Sequence, residues 1–228
     1  MAKSPNAFEN PGVVDAYADR VAQNVPAYRD IHRMASVLID EHAPPDARVL
    51  VLGAGGGLET KAFAAAHPGW TFDAVDPSAA MLDLATKTLG PSASRVRMHR
   101  GYVDDAPPGP FDAATSLLTL HFLPHDERRR TVAEVRRRLA PGAPLVVMHL
   151  SFPQRDDAER ELWMGRHCAI LVASGIDPAD AEKARTTVAA GVPVLTPEQD
   201  RAILREAGFT DVTEFFSAFT FRGWVGYA

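Results

Sequence analysis

Residues 48–60 read RVLVLGAGGGLET, and the fold class can be predicted from them. Arg48–Leu52 shows no alternation of apolar and polar residues, which is typical of a strand buried on both faces of a parallel sheet. Glycines at 53, 55, 56 and 57 follow at once, and a run of helix formers continues to Ala66. The stretch therefore predicts a strand, a tight glycine turn and a helix.

Asp76 completes this pattern, since it ends a strand predicted over Trp70–Val75, 23 residues after Gly53. Glycines lack Cβ, so bare backbone amides at a helix N-terminus can approach a ligand closely. A carboxylate after the second strand can accept hydrogen bonds from both ribose hydroxyls. The glycine turn and Asp76 together indicate a site for an adenosine-bearing cofactor. A purely structural turn, with Asp76 as a charge at a helix N-terminus, is the alternative.

The spacing of the glycines separates two classes of cofactor. The dinucleotide fingerprint G-x-G-x-x-G requires glycine at position 58, where this chain has Leu58. The chain instead has G-x-G-x-G at 53, 55 and 57. This spacing favours S-adenosylmethionine over a nicotinamide dinucleotide.

The central part of the chain repeats the alternation of strands and helices. A helix is predicted after the N-cap Ser78 and another over Asp126–Leu139, and further strands are predicted over Arg95–His99, Phe111–Leu120 and Leu145–Leu150. This order predicts an α/β protein with a mostly parallel sheet and helices on both faces.

The two ends of the chain add helices and a hairpin. An apolar stripe predicts a helix within an N-terminal helical region at about 11–42, from Ile31, Met34, Ala35, Leu38 and Ile39. After Phe152 three helices are predicted, over 155–173, 178–190 and 197–207, followed by a hairpin within 209–227. We expect residues 153–195 to form a helical cover over one edge of the sheet.

Composition excludes several classes of protein. The chain has 228 residues, of which 46% are hydrophobic, and its net charge is −5. This content predicts a single domain over 1–228 with a real core, and the lone Cys168 excludes a disulfide framework. No segment has the length of a membrane span or the pattern of a signal peptide, so we expect a cytoplasmic protein without a membrane partner. No metal-ligand spacing is present, so we expect no metal.

Two runs of three arginines, at 128–130 and 136–138, suggest a nucleic-acid surface at first sight. Asp126 and Glu134 precede Arg130 and Arg138 by four residues, which predicts ion pairs along one helix. We therefore expect an outward, solvated helix face and no nucleic-acid partner, in agreement with the mild acidity of the chain.

These motifs resemble the class I S-adenosylmethionine-dependent methyltransferases over essentially the whole chain. VLVLGAGGG resembles their first motif and AVDPSAAML their second, and later segments are similar at GYVDDAP, FDAATSLLTLHFL, RRRLAPGAPLVV and LREAGF. The resemblance implies a Rossmann-like, seven-stranded sheet with an antiparallel C-terminal hairpin. It implies S-adenosylmethionine as cofactor, S-adenosylhomocysteine as product, and cofactor contacts from Tyr28, Gly53, Ala54, Gly55, Gly57, Asp76, Pro77, Met81, Tyr102, Val103 and Leu118.

Within that class the chain is most similar to the carboxy-S-adenosylmethionine synthase branch and its methyltransferase relatives. The similarity is carried by VPAY at 25–28, by HFLPHDER and by Arg185, which implies an arginine for a carboxylated donor. Val51 and Tyr102 stand where the class has acids that contact the cofactor, and Leu117 stands where the branch has Asn. Glu59 and Asp104 are candidates to supply the missing negative charge.

The leading interpretation is methyl transfer to a small-molecule acceptor. The alternatives are a carboxy-S-adenosylmethionine synthase-like enzyme of tRNA wobble-uridine modification and a non-catalytic cofactor-binding interaction protein. Relatives of this type often pair, so a homodimer is a further expectation. Methyl transfer needs alignment and, for a protonated acceptor, a base. The candidates for that role are His121, which is the first choice, His149 and His167, and the candidates for substrate contact are Tyr17, Trp163 and Arg185.

Overall fold

A seven-stranded sheet organises the part of the chain that the structure describes. The computed structural model describes residues 17–228, with side chains from Arg20 onward. The strand order is β3-β2-β1-β4-β5-β7-β6. The strands are β1 (Arg48–Leu52), β2 (Thr71–Asp76), β3 (Val96–Arg100), β4 (Ala113–Leu117), β5 (Pro144–Leu150), β6 (Thr210–Ala218) and β7 (Phe221–Tyr227).

The pairing of the strands confirms the predicted fold class. Strands β1 to β5 pair in parallel, whereas β7 runs antiparallel to both β5 and β6. The strand order reverses between β1 and β4, and ligands of such sheets bind at the carboxyl ends of the strands beside this switch point. The glycine turn follows β1, so it lies at the switch point.

Helices cover both faces of the sheet, as the sequence predicts. They are α1 (Tyr17–Asn24), α2 (Tyr28–Asp40), α3 (Leu58–Ala66), α4 (Ala79–Leu89), α5 (His125–Arg138), α6 (Asp157–Ala173), α7 (Pro178–Gly191) and α8 (Pro197–Glu206). Helices α2 and α3 bury Ile31 and Phe63 in a core with Val51. Helices α5 and α8 bury apolar side chains on the opposite face, with Leu50 and Trp224. The predicted cap is present, because the Ser78 hydroxyl accepts a hydrogen bond from the Met81 amide at 3.2 Å.

Strand β4 is shorter than the predicted Phe111–Leu120. Leu118 adopts a left-handed backbone conformation, with φ of 58°, and its amide donates to the carbonyl of Met148. This turn ends the strand at Leu117. Phe111, at the other end, forms only an isolated bridge with Leu139.

The cover predicted over 153–195 consists mainly of α6 and α7. Helix α6 buries Met164, His167 and Leu171, and α7 buries Ala181. The Ser151 amide donates to the carbonyl of Thr220 at 2.9 Å, which brings the β6–β7 turn to the carboxyl end of β5. Because His167 bonds to Thr220, the cover lies at this same edge of the sheet.

The prediction that all six arginines of α5 face solvent is wrong for two of them. Arg128 and Arg138 are only 1% and 4% exposed. Helix α8 packs against α5 and brings Asp200, whose Oδ1 accepts a hydrogen bond from Arg128 Nη1 at 2.6 Å. Arg138 forms the predicted pair with Glu134 at 2.5 Å.

The second predicted pair on α5 has a different partner. Arg130 bonds to Asp104 at 2.9 Å, beyond the end of β3, and not to Asp126. The loop after β3 therefore supplies the carboxylate that the helical spacing assigned to α5 itself.

Candidate active site

The glycine turn after β1 is held in a conformation that glycine favours. Gly53, Gly55 and Gly57 have φ values of 77°, 50° and 79°. A Cβ on Gly53 would lie 2.0 Å from Thr119 Oγ1, and one on Gly57 would lie 2.9 Å from the Cα of Ala85. The turn is therefore pressed between the loop after β4 and helix α4, and both positions exclude a side chain.

Four of the backbone amides that the sequence predicts to be bare already donate hydrogen bonds within the protein. The amides of Gly53 and Ala54 both donate to the carbonyl of Val75, at 2.8 and 3.0 Å, and the Gly57 amide donates to Ala54 at 3.0 Å. The Gly55 amide donates to the carboxylate of Asp76. These four bonds do not use the Gly56 amide or the first N–H groups of α3, which a helix leaves without internal partners.

Asp76 is fixed at the end of β2 by two backbone amides. Its Oδ2 accepts from the Gly55 amide at 2.9 Å and its Oδ1 accepts from the Ser78 amide at 2.9 Å. A carboxylate at this position, at the end of the second strand, is the group that binds ribose hydroxyls in doubly wound nucleotide sites. This arrangement joins the glycine turn to the acid and fits the two neighbouring hydroxyls of a ribose.

The other residues predicted to contact the cofactor lie around the same edge of the sheet. Pro77 and Met81 follow β2, Tyr102 and Val103 follow β3, and Leu118 follows β4. Tyr102 is 43% exposed, whereas Met81 and Val103 are buried. Because the carboxyl ends of parallel strands meet at one edge, the topology brings these positions together. Their contacts with a cofactor stay predictions.

Tyr28 begins α2, at the N-terminal end of that helix. It is half-buried, and its ring lies 4.6 Å from the ring of His32, edge to face. Burial lowers the pKa of His32 to about 4, so this imidazole is neutral at pH 7. The predicted closure of Tyr28 over the cofactor stays a prediction.

Glu59 is a candidate for the missing negative charge whose position the sequence does not predict. In the structure it is buried. Its carboxyl accepts a hydrogen bond from the hydroxyl of Thr115 on β4. Burial raises the pKa of Glu59 to about 8, against a smaller opposing effect of the Thr115 bond, so the group is largely protonated at pH 7. Asp104, the other candidate for a compensating charge, is exposed and pairs with Arg130.

The three candidate histidines are all buried but do not converge on one point. His121 lies in a short 3₁₀ helix, Leu120–Phe122, and His149 lies near the end of β5, with their ring centroids 6.4 Å apart. Nε2 of His149 lies 3.2 Å from Asp200 Oδ1, so this ring belongs to the buried polar cluster between α5 and α8. His167 Nδ1 lies 2.8 Å from the hydroxyl of Thr220 beneath the cover, and burial lowers its pKa to about 4.

His121 has a defined tautomer. Its Nδ1 accepts the Leu150 amide at 3.4 Å, so the ring proton is on Nε2. Burial is the main cause that holds the pKa of His121 well below 6.5, and the electrostatic effects of nearby His149 and Arg128 add to it. The ring is therefore neutral at pH 7 and presents Nε2–H as a hydrogen-bond donor.

The predicted substrate residues lie apart from one another. Arg185 donates to Glu182 at 2.6 Å and to Glu161 at 2.9 Å, so two carboxylates of the cover already hold its guanidinium. Trp163 lies near two guanidinium groups, with Arg166 4.6 Å and Arg222 5.6 Å from its ring centroid. Tyr17 begins α1, but its side chain lies outside the described residues.

Among the described residues, 17–228, no group of three His, Cys, Asp or Glu side chains is placed to hold a metal ion. In the same part of the chain no helix combines the length and apolar character needed to cross a bilayer.

The fold and the turn–acid pair have the architecture of the class I methyltransferases. Residues 49–142 match the model of a methyltransferase domain. A carboxy-S-adenosyl-L-methionine synthase from Chromohalobacter salexigens is 28% identical over 220 residues, which cover 94% of this chain and 81% of the relative.

Solved structures agree with this fold. A Nostoc punctiforme protein, proposed to be an O-methyltransferase, superposes with a TM-score of 0.69 at 18% identity over 95% of this chain. Human N-acetylserotonin methyltransferase, solved with S-adenosylmethionine, superposes with a TM-score of 0.60 at 14% identity over 98% of this chain. The chain spans 59% and 60% of those two longer chains. The comparisons confirm the class of enzyme predicted from the sequence, an S-adenosylmethionine-dependent methyltransferase.

Replacement of Glu59 by Gln should change how stability depends on pH. The pKa of Glu59 in the folded protein is about 8, raised from 4.5. The stability that comes from protonated Glu59 is therefore fully present below pH 4.5 and is lost as the pH rises through 8. Wild type should therefore lose up to about 1.4 kcal/mol of unfolding free energy per pH unit relative to E59Q between pH 5 and 8. Urea unfolding at pH 5, 6.5 and 8 measures this difference. The exposed Glu41→Gln variant is the control, and parallel curves for wild type and E59Q would show that Glu59 ionises normally.

Proposed function

We propose that this protein transfers the methyl group of S-adenosylmethionine to a small-molecule acceptor by in-line displacement. The observation that carries the proposal is the coupling of the glycine turn to Asp76, with the Gly55 amide 2.9 Å from Asp76 Oδ2. This bond places a carboxylate beside the glycine turn, where a ligand can come close to the backbone. The turn lies at the switch point of the sheet. A carboxylate in this position can accept hydrogen bonds from the ribose hydroxyls of an adenosine-bearing sulfonium.

The protein's contribution to such a transfer is alignment and exclusion of water. The bound cofactor supplies an already activated methyl group, so the chain's residues need only position the reactants. Asp76 would hold the ribose, and the amide of Gly56 with the first turn of α3 would line the amino-acid end. The cover, α6 and α7, stands at the same edge of the sheet and would exclude water from the acceptor.

The arginines of α5 favour a small acceptor over a nucleic acid. Arg129 pairs with Glu206 at 2.9 Å, Arg130 with Asp104 at 2.9 Å and Arg137 with Glu134 at 2.7 Å. A phosphate backbone is bound by basic side chains that carry net positive charge. Since carboxylates neutralise these exposed arginines, α5 offers little attraction to nucleic acid.

Asp76→Ala should weaken binding of S-adenosylhomocysteine by about 10- to 100-fold, the effect of losing hydrogen bonds to a charged group. Titration calorimetry measures this loss, with the exposed Asp83→Ala on α4 as the control. The 2′-deoxy analogue separates a ribose contact from damage to the turn, because it should bind wild type more weakly and D76A with no additional loss. Equal losses for the analogue in both proteins would show that Asp76 does not contact the 2′-hydroxyl.

His121 would orient the acceptor rather than deprotonate it. Its Nδ1 is occupied by the Leu150 amide, so only the Nε2–H donor is available to an acceptor atom. The lowered pKa also makes the ring a weak base at pH 7. His149 and His167 stay alternative candidates, although each already contacts another polar side chain, Asp200 or Thr220.

His121→Ala should lower kcat/KM by about tenfold with the best acceptor of a small-molecule panel, because one hydrogen bond to the acceptor is lost. The wild-type rate should show no ionisation of His121 between pH 6 and 8. The exposed His125→Ala on α5 is the matched control, and melting temperatures check the fold. Unchanged turnover in H121A would remove His121 from the mechanism.

A carboxy-S-adenosylmethionine synthase-like activity is the second candidate. It is supported by curated relatives of that name that cover most of this chain. Against it, Arg185, the predicted clamp for a carboxylated donor, is already paired with Glu182 and Glu161. The methyltransferase proposal predicts that S-adenosylmethionine or S-adenosylhomocysteine co-purifies with the protein. A co-purifying ligand heavier by a carboxyl group in mass spectrometry would favour the second candidate.

The expected location and assembly are also proposals. A cytoplasmic protein is consistent with the lone free Cys168. A homodimer stays a prediction, which sedimentation can test.

A further inference from the structure

Glu59 lies beneath the glycine turn and has no role in the methyl transfer proposed above. It occupies the first turn of α3, and its carboxyl accepts the hydroxyl of Thr115 in the middle of β4. Thr115 is the register partner of Val51 on β1, and neighbouring partners in a parallel sheet point to the same face. The carboxyl therefore lies over the boundary between β1 and β4, which is the switch point of the sheet.

The surroundings of Glu59 do not stabilise a negative charge. Glu59 is 6% exposed, Val51 is fully buried, and no salt bridge joins Glu59 to another described residue. The hydroxyl of neighbouring Thr60 is also buried without a hydrogen-bond partner. A buried acid with one hydrogen bond costs folding free energy that an apolar side chain would not. Such an acid at a ligand-binding edge is a candidate for a functional group.

We propose that Glu59 is the countercharge for the α-ammonium group of the cofactor's amino-acid end. This inference rests on the proposed function. Asp76 at the end of β2 would hold the ribose, and an amino-acid end that ran over β1 toward β4 would reach the carboxyl of Glu59. An α-ammonium group beside Glu59 would balance the charge of the ionised carboxylate. It would thereby offset the free-energy cost of burying that charge.

Other titratable groups near this face do not mimic the effect. Elements packed against α3 bring His32 from α2, Asp76 from β2 and Arg95, which donates to the carbonyl of Ala64 at the far end of α3, while Asp83 and Lys87 of α4 are exposed. Burial lowers the pKa of His32 to about 4, so it does not change charge between pH 6 and 8. Asp76 is a carboxylate already bonded to two amides. The comparison of wild type with E59Q assigns any uptake or release of a proton on ligand binding to Glu59.

Titration calorimetry in buffers of different ionisation enthalpy tests the proposal. S-adenosylhomocysteine carries the ammonium group, and 5′-methylthioadenosine has the same nucleoside and thioether without it. Wild type should release about one proton per bound S-adenosylhomocysteine at pH 7, and its affinity should rise by up to about tenfold per unit from pH 6 to 8. It should release none with 5′-methylthioadenosine.

Glu59→Gln keeps the shape of the protonated acid and should bind S-adenosylhomocysteine at least tenfold more weakly, without proton release. Its affinity for 5′-methylthioadenosine should equal that of wild type, which also shows that the site is folded, and Glu41→Gln should behave as wild type. Equal binding of S-adenosylhomocysteine by wild type and E59Q, or its binding by wild type without proton release, would overturn the inference alone. Failure of wild type to bind either ligand would overturn the proposed function and the inference with it.

Discussion

The hydrogen bond between the Gly55 amide and Asp76 is the constraint on which the site depends. It joins the turn after β1 to the end of β2 and so fixes the relative positions of the two motifs. The carbonyl of Val75 strengthens the connection, because it accepts the amides of both Gly53 and Ala54. A ligand that contacts Asp76 therefore meets a turn whose position is already set, and little ordering free energy is lost on binding.

A cluster of hydrogen-bonded polar side chains around Arg128 and Asp200 is buried on the opposite face of the sheet. Arg128 of α5 bonds to Asp200 of α8 and to the carbonyl of Pro193 at 2.9 Å. Burial alone would raise the pKa of Asp200, but His149 and Arg128 outweigh it and hold that pKa below its usual value. These contacts link α5, α8, β5 and the segment that returns from the cover. Arg128 also adds to the effect of burial that keeps His121 neutral, while the Leu150 amide leaves Nε2–H as the donor of that ring.

Local patterns predicted most of the fold, and long-range contacts account for the errors. Strand β1 and helix α3 agree with prediction to the residue, because an apolar run, a glycine turn and a helix-forming segment are all local signals. Arg128 was expected in solvent, since nothing near it in the sequence reveals that Asp200 packs against it. The pairing of the glycine turn with Asp76 can be predicted, because their separation follows from the strand–helix–strand unit. The burial of Glu59 cannot be predicted in this way, since it depends on Thr115, 56 residues away.

A crystal structure with S-adenosylhomocysteine bound would show directly whether Asp76 holds the ribose. Both ribose hydroxyls should lie within hydrogen-bond distance of the Asp76 carboxylate, at about 2.6–3.2 Å, with the thioether over the glycine turn. A complex in which side chains fill the space above residues 53–57, or in which Asp76 points away from the sugar, would contradict this prediction.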